Sequence, residues 1–169
     1  MDVKLKRTVY TAVLSAMIFV LTTFLHVPVA SGYVHFGDAL LYICAILLGS
    51  PWAFLAGAVG EGLADVAGGF AAYAPATVII KVLMVIPFVL LNKTQGAKKL
   101  FSKKAVMFSV LAGVINVLGY FAADMVIARA YAFVDIPGNI IQSAGSAVIF
   151  VALALALDKA KILDKINIH

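Results

Sequence analysis

The chain has 169 residues, of which 64% are hydrophobic and only 12% are charged, and its formal net charge at pH 7 is +5. Ordinary soluble domains carry roughly 25% charged residues, so this composition excludes a water-soluble domain and predicts an integral membrane protein. Because one membrane-spanning helix takes about 20 apolar residues, residues 1–169 have room for five or six short spans within a single domain.

Proline, glycine and charge clusters divide the chain into six apolar runs, each of which predicts one transmembrane helix. The tripeptide Gly49-Ser50-Pro51, between the second and third runs, is either a tight turn or a kink within one bent helix. We favour the turn, because Gly and Ser suit turns and Pro suits the start of a helix. The predicted spans are approximately residues 8–25, 37–48, 52–66, 75–91, 106–128 and 137–157.

The basic residues predict how these helices are oriented. Eleven of the 13 Lys and Arg residues precede the first run, lie between the fourth and fifth runs, or follow the last. Six spans place all three segments on one side, and the positive-inside rule makes that side cytoplasmic. We therefore expect an all-α six-helix bundle with both termini inside. Its positive charge suits anionic membrane lipid and requires no nucleic-acid partner.

Lys81 is the unusual residue of the fourth run, because its neighbours Ile80 and Val82 are suited to hydrocarbon. A charged group at membrane depth costs at least a few kcal/mol unless it is paired or hydrated. Two interpretations follow. Either the ammonium group reaches back to the outer headgroups, or it lies on the wall of a cavity, where it contacts a ligand or a carboxylate such as Asp124.

Polar residues of the fifth and sixth runs lie in the outer halves of these runs. Asn116, Tyr120 and Asp124 follow one another at intervals of four and therefore share one helix face. Asn139 and Gln142 lie near the outer end of the sixth run. These residues form either interhelical hydrogen bonds or the wall of a pocket. The nearly pure apolar character of the inner halves favours a pocket that opens outward.

Glu61 and Asp65 lie four residues apart in the third run and could together bind a divalent cation. Such a pair supports an alternative function, an intramembrane enzyme that acts on a lipid or prenyl substrate. No histidine joins the pair at metal-ligand spacing, so we predict a structural role for Glu61, and we predict neither a metal, a cofactor nor a catalytic residue. A self-sufficient ion-coupled carrier is disfavoured because no inverted repeat is evident.

The segment from His35 to Lys81 resembles the substrate-binding S component of energy-coupling factor (ECF) vitamin transporters, particularly the riboflavin-type branch. The order and spacing of several short elements carry the resemblance, and a size of six spans fits the whole chain. The shared elements are His35-Phe36-Gly37-Asp38 at the start of the second run, Gly49 at its end, Asp65, and Tyr73-Ala74-Pro75-Ala76-Thr77 followed by Lys81.

This resemblance implies a vitamin-capturing protein of a bacterial or archaeal cell membrane rather than an enzyme. The vitamin would enter from outside into a cavity beneath the first outer loop. The implied partners are a transmembrane coupling subunit and two ATPase subunits, and the chain has no phosphate-binding loop of its own. Ala12 and Ala16 match the Ala-x-x-x-Ala face with which the family docks on the coupling subunit.

The expected ligand is a riboflavin-like flavin or a smaller pyridine or pyrimidine vitamin. The single tryptophan, Trp52, falls at the cytoplasmic end, so the Trp-rich pocket of the thiamin-binding branch has no counterpart here. Aromatic side chains could stack on a vitamin ring, and polar side chains could orient it. The candidate substrate-binding residues are Tyr33, Phe36, Tyr73, Lys81, Asn116, Tyr120, Asp124, Asn139 and Gln142.

Overall fold

The computed structural model describes residues 2–29, 32–95 and 99–166, without the side chains of residues 29, 32, 33, 94 and 95. The first helix is joined to the second by an antiparallel hairpin of two strands, β1 (His26–Val29) and β2 (Gly32–His35). The helices are α1 (Val3–Thr23), α2 (Gly37–Leu48), α3 (Trp52–Ala67), α4 (Ala74–Gln95), α5 (Lys103–Ile127), α6 (Ile136–Lys159) and α7 (Ile162–Ile166).

The six predicted runs correspond to α1–α6. Four helices begin earlier than predicted: α4 and α6 by one residue, and α1 and α5 by five and three residues, because a polar side chain caps the first turn of each of these two. Asp2 accepts a hydrogen bond from a backbone amide of α1, and Ser102 does the same for α5. The tripeptide Gly49-Ser50-Pro51 is the predicted turn rather than a kink, since α2 ends at Leu48 and α3 begins at Trp52.

Four of the described helices, α1, α4, α5 and α6, are long and apolar enough to cross a membrane. This confirms a helical multi-pass membrane protein. α2 and α3 are shorter, with 12 and 16 residues. At 1.5 Å per residue they extend about 18 and 24 Å, less than the roughly 30 Å of a hydrocarbon core.

Helix α2 lies at the centre of the bundle, where α1, α3, α4 and α6 surround it. Every one of its residues is buried. A helix that is apolar on nearly all sides needs to be surrounded by protein or lipid, and here the four neighbouring helices provide that environment. Its first turn carries Asp38, which is 0% exposed, so the fold places a carboxyl group in the middle of the bundle.

Aromatic rings fill the bundle one turn beyond Asp38, away from the hairpin. The rings of Tyr42 and Phe88 stack with their centroids 4.7 Å apart. The ring of Phe150 meets them edge-on, at 5.8 and 5.6 Å. These side chains come from α2, α4 and α6 and are fully buried, so the half of the bundle that lies away from the hairpin has a closed apolar core.

Helices α1 and α3 approach closely at Gly60. A Cβ atom at this position would lie 2.8 Å from the Ile18 side chain and 2.9 Å from the Ser15 carbonyl oxygen. Small residues permit such close packing of membrane helices. Because α3 packs on the Ser15 side of α1, Ala12 and Ala16 remain exposed on the surface of the bundle.

Candidate functional site

A buried ion pair joins α4 to α2. Lys81 Nζ lies 2.6 Å from Asp38 Oδ1, and the two side chains are 1% and 0% exposed. The ammonium group also donates a hydrogen bond to Asn116 Oδ1 at 3.2 Å and lies 5.5 Å from the centroid of the Tyr120 ring. Its burial excludes the interpretation that it reaches the outer headgroups, and its carboxylate partner is Asp38 rather than Asp124.

Gln142 on α6 ties the hairpin to this ion pair. Its Oε1 accepts a hydrogen bond from the His35 backbone N–H at 2.6 Å, and its Nε2 donates one to the His35 carbonyl at 3.1 Å. Nε2 also donates to Asp38 Oδ2 at 2.9 Å. One side-chain amide therefore positions both the end of β2 and the carboxylate that pairs with Lys81.

His35 connects the hairpin to α1 and α3. Its Nδ1 accepts a hydrogen bond from the Gly37 N–H at 3.1 Å and lies 3.3 Å from Thr22 Oγ1. Thr22 Oγ1 donates to Glu61 Oε2 at 3.1 Å, and that oxygen lies 3.8 Å from His35 Nε2. Burial lowers the pKa of His35 to about 4, so the ring is neutral at pH 7, with the proton assigned to Nε2.

His35, Asp38 and Glu61 could hold a metal ion by distance alone, because their ligand atoms all lie within 4.8 Å of one another. The hairpin brings His35 to Glu61, a contact that sequence spacing did not predict, whereas Asp65 is not part of this group. The donors, however, are engaged. Lys81 and Gln142 contact the two Asp38 oxygens, and a metal-bound imidazole normally donates through its other nitrogen, whereas His35 Nδ1 accepts. These three residues therefore fit a hydrogen-bonded cluster around the Lys81–Asp38 ion pair rather than a metal site.

A second polar layer lies closer to the hairpin end of the bundle. Tyr73 donates a hydrogen bond from its hydroxyl group to Asp124 Oδ1 at 2.7 Å. The hydroxyl oxygens of Thr77 and Tyr120 lie 2.9 Å apart, and Asp65 interacts with Thr77. Burial and the Asp124 carboxylate raise the pKa of Tyr73. This layer combines two carboxyl groups with two phenols and a threonine.

Most of the predicted substrate-binding residues lie in these two layers. The backbone carbonyl of Asn139 accepts a hydrogen bond from Ser143 Oγ. Phe36 is 38% exposed at the start of α2, and the side chain of Tyr33 lies outside the described residues. The first layer contains Lys81, Asn116 and Gln142, and the second contains Tyr73, Tyr120 and Asp124.

Sequence reasoning missed the partners of these residues. Asp38 and Lys81 are 43 residues apart, and no periodicity within one helix links them. One signal could have found the pair: a lone intramembrane lysine requires an anionic partner, and Asp38 is the acidic residue of an otherwise apolar run. Thr22 and Thr77 offered no such signal, because hydroxyl groups are common in membrane helices.

The fold and the site define a helical multi-pass membrane protein with a buried polar cluster near one end, an arrangement suited to a small ligand. The family model of the ECF-type riboflavin transporter S component matches residues 2–159, and the chain belongs to this family. S components are transporter subunits rather than enzymes and work with an ECF module of a T component and ATPases. This confirms the resemblance and does not favour the alternative of an intramembrane lipid enzyme.

A relative from Pyrococcus woesei is 30% identical over 141 residues, which are 79% of this chain and 87% of that protein. Its name, "Uncharacterized protein in gap 3'region", states no ligand.

Proposed function

We propose that the chain captures a vitamin or vitamin precursor from outside the cell and takes it up together with an ATP-driven ECF module. The observation that supports this is the position of the Lys81–Asp38 pair and its partners at the hairpin end, above a closed aromatic core. A line of charges crossing the whole bundle would favour an ion path. A polar cluster confined to one end favours a site that is loaded from one side.

We further propose that all six helices α1–α6 cross the membrane, with both termini in the cytoplasm. Lys4, Lys93, Lys104 and Lys159 lie at the ends of helices remote from the hairpin, and the positive-inside rule then places the hairpin outside. The short helix α2 is compatible with this arrangement, because other helices rather than lipid surround it.

The proposed orientation can be tested with introduced cysteines, since the native Cys44 is buried. A cysteine at Val27, which is 59% exposed on β1, should react with a membrane-impermeant maleimide in intact cells. A cysteine at the exposed Lys104 should react only after permeabilisation. The reverse pattern would overturn the orientation.

The proposed ligand is a riboflavin-like flavin or a pyridine or pyrimidine vitamin. Tyr73 and Tyr120 offer rings for stacking and hydroxyl groups for hydrogen bonds. In the proposal, Asn116, Lys81 and Asp124 exchange some of their present hydrogen bonds for bonds to the ligand. The remaining proposed contacts are Tyr33, Phe36, Asn139 and Gln142.

The capture function is tested by titrating the purified chain in detergent with riboflavin, pyridoxine and a pyrimidine vitamin, and by identifying any copurified ligand by mass spectrometry. We expect saturable binding of one of these vitamins without ATP, and uptake into vesicles only when the ECF module is present. A chain that binds none of them, and carries no copurified ligand, would contradict the proposal.

A further inference from the structure

We infer that the ligand site selects by charge: it accepts an uncharged or cationic ligand rich in hydrogen-bond donors and rejects an anionic one, such as a phosphorylated or carboxylated vitamin. This inference rests on the proposed function and adds to it the chemical class of the ligand.

The balance of buried charges supports this selection. Among the residues that the structure describes, the buried carboxyl groups are Asp38, Glu61, Asp65 and Asp124, and the buried ammonium group is that of Lys81. The ion pair with Asp38, at 2.6 Å, already compensates the charge of Lys81. The site therefore retains no unpaired positive charge, among its described groups, that could stabilise an incoming anion.

Further carboxyl groups lie in the second polar layer and at the start of α6, whereas the basic residue of the connection between α5 and α6, Arg129, is exposed. Asp65 and Asp124 belong to the second polar layer, which a ligand entering at the hairpin end meets first. Asp135, at the start of α6, adds a third carboxyl group, and burial together with Asp124 raises its pKa. An ionised carboxyl group repels an anion, most strongly where little water screens it, and a protonated one does not compensate the charge of an anion.

Among the described residues, three of the five buried side-chain atoms without a hydrogen-bond partner are carboxyl oxygens, and the other two are the hydroxyl oxygens of Thr23 and Tyr42. Asp65 Oδ2, Glu61 Oε1 and Asp135 Oδ1 are buried and have no hydrogen-bond partner among the described protein atoms. Buried acceptors without partners are costly and are usually satisfied. Ligand N–H and O–H groups could satisfy such oxygens near the second layer, whereas phosphate and carboxylate groups offer mainly further acceptors.

The experiment compares ligands that share a ring and differ in charge: riboflavin with riboflavin 5′-phosphate, pyridoxine with its 5′-phosphate, and nicotinamide with nicotinate. In the pair that binds, we expect the anionic member to bind about 100-fold more weakly or worse, the range of a like-charge contact. Equal or tighter binding of the anion would overturn the charge inference but leave vitamin capture intact. Binding of neither member of any pair would overturn the charge inference, and it would overturn vitamin capture as well if the pyrimidine vitamin also failed to bind.

Two further measurements separate charge from size. Asp124→Asn and Asp65→Asn keep the side-chain volume. Each should reduce about tenfold the ratio between the affinities for the uncharged and the anionic member of the pair. The matched control, Asp164→Asn on the exposed surface of α7, should leave the ratio unchanged.

In the unaltered protein, the methyl ester of nicotinate should bind more tightly than nicotinate if the nicotinamide pair is the one that binds. An ester rejected as strongly as the acid, or a ratio unmoved in both variants, would assign the rejection to size and sink the inference.

Discussion

Lys81 and Asp38 show why a buried ion pair is better explained by a binding site than by stability. The interior weakens the hydration of both charges, and replacing such a pair by apolar residues is often neutral or stabilising. Removing one partner is different, because the other charge then stays buried without compensation. The pair is therefore a feature that folding tolerates and that ligand binding can use.

We predict that Lys81→Met alone destabilises the protein by about 3–5 kcal/mol, because it leaves the Asp38 carboxylate unpaired. The double variant Lys81→Met with Asp38→Asn should recover most of this loss. Thermal unfolding in detergent measures both changes, and Lys104→Met, at an exposed position, is the matched control. Losses that simply add in the double variant would show that the two residues are not coupled.

His35 makes the stability of the protein depend on pH. The unfolded chain binds a proton at this side chain below about pH 6.5, but the folded protein does so only near pH 4. The unfolded state therefore holds more protons in this window, and stability should fall as pH falls through it, by about 3 kcal/mol at most. Melting temperatures recorded against pH should decline less steeply in His35→Gln than in the wild type. His26→Gln, an exposed control in the same hairpin, should retain the steep decline.

At the scale of single elements, the sequence predicted the helices well but missed the hairpin. Helix ends depend on nearby signals: the turn at Gly49-Ser50-Pro51 was recognised, whereas the caps at Asp2 and Ser102, which start α1 and α5 earlier, were missed. The outer loop carries β-branched residues on both sides of its middle, and the structure pairs Val27 with Val34 and His26 with His35. The sequence pattern of each strand is only four residues long. Because isolated two-stranded hairpins are only marginally stable, such a short pattern does not by itself predict a hairpin. Here the Gln142 amide and Thr22 hold the hairpin against α6 and α1.

Close packing of α1 on α3 leads to a test at Gly60. A methyl group there would press on Ile18 and on the Ser15 carbonyl oxygen, so Gly60→Ala should destabilise the protein by about 1–3 kcal/mol. Gly145→Ala on α6 is the control, because its methyl group would meet nothing within 4 Å. The control should be neutral or stabilising by up to about 1 kcal/mol. Equal melting temperatures for the two variants would contradict close packing at Gly60.

At the scale of the whole molecule, the surface of α1 is the proposed docking face for the coupling subunit. Ala12 and Ala16 are exposed there, while another side of the helix, which includes Ser15 and Ile18, packs on α3. Two small residues one turn apart let another helix approach closely, as in other membrane helix contacts. Docking at this face would leave the polar cluster free to bind its ligand.

We therefore expect Ala12→Trp and Ala16→Trp to abolish vitamin uptake by vesicles that contain the ECF module, without weakening ligand binding by the purified chain. The control is Val148→Trp on α6, a position that is 70% exposed and lies outside the proposed face. If uptake persists in both Ala12→Trp and Ala16→Trp, these two residues do not belong to the interface. Loss of ligand binding in either variant would indicate misfolding instead.

The sequence by itself determined the class of the protein and the approximate extent of its helices. The hydrophobicity of a run and the charge between runs are local quantities, so both can be read from the sequence without knowing which residues are in contact. Only the tertiary structure decided which residue neutralises Lys81, that His35 reaches Glu61, and that Gln142 holds the hairpin. Those contacts join residues far apart in the chain, and many pairings of buried polar groups are compatible with one sequence until packing brings particular helices together.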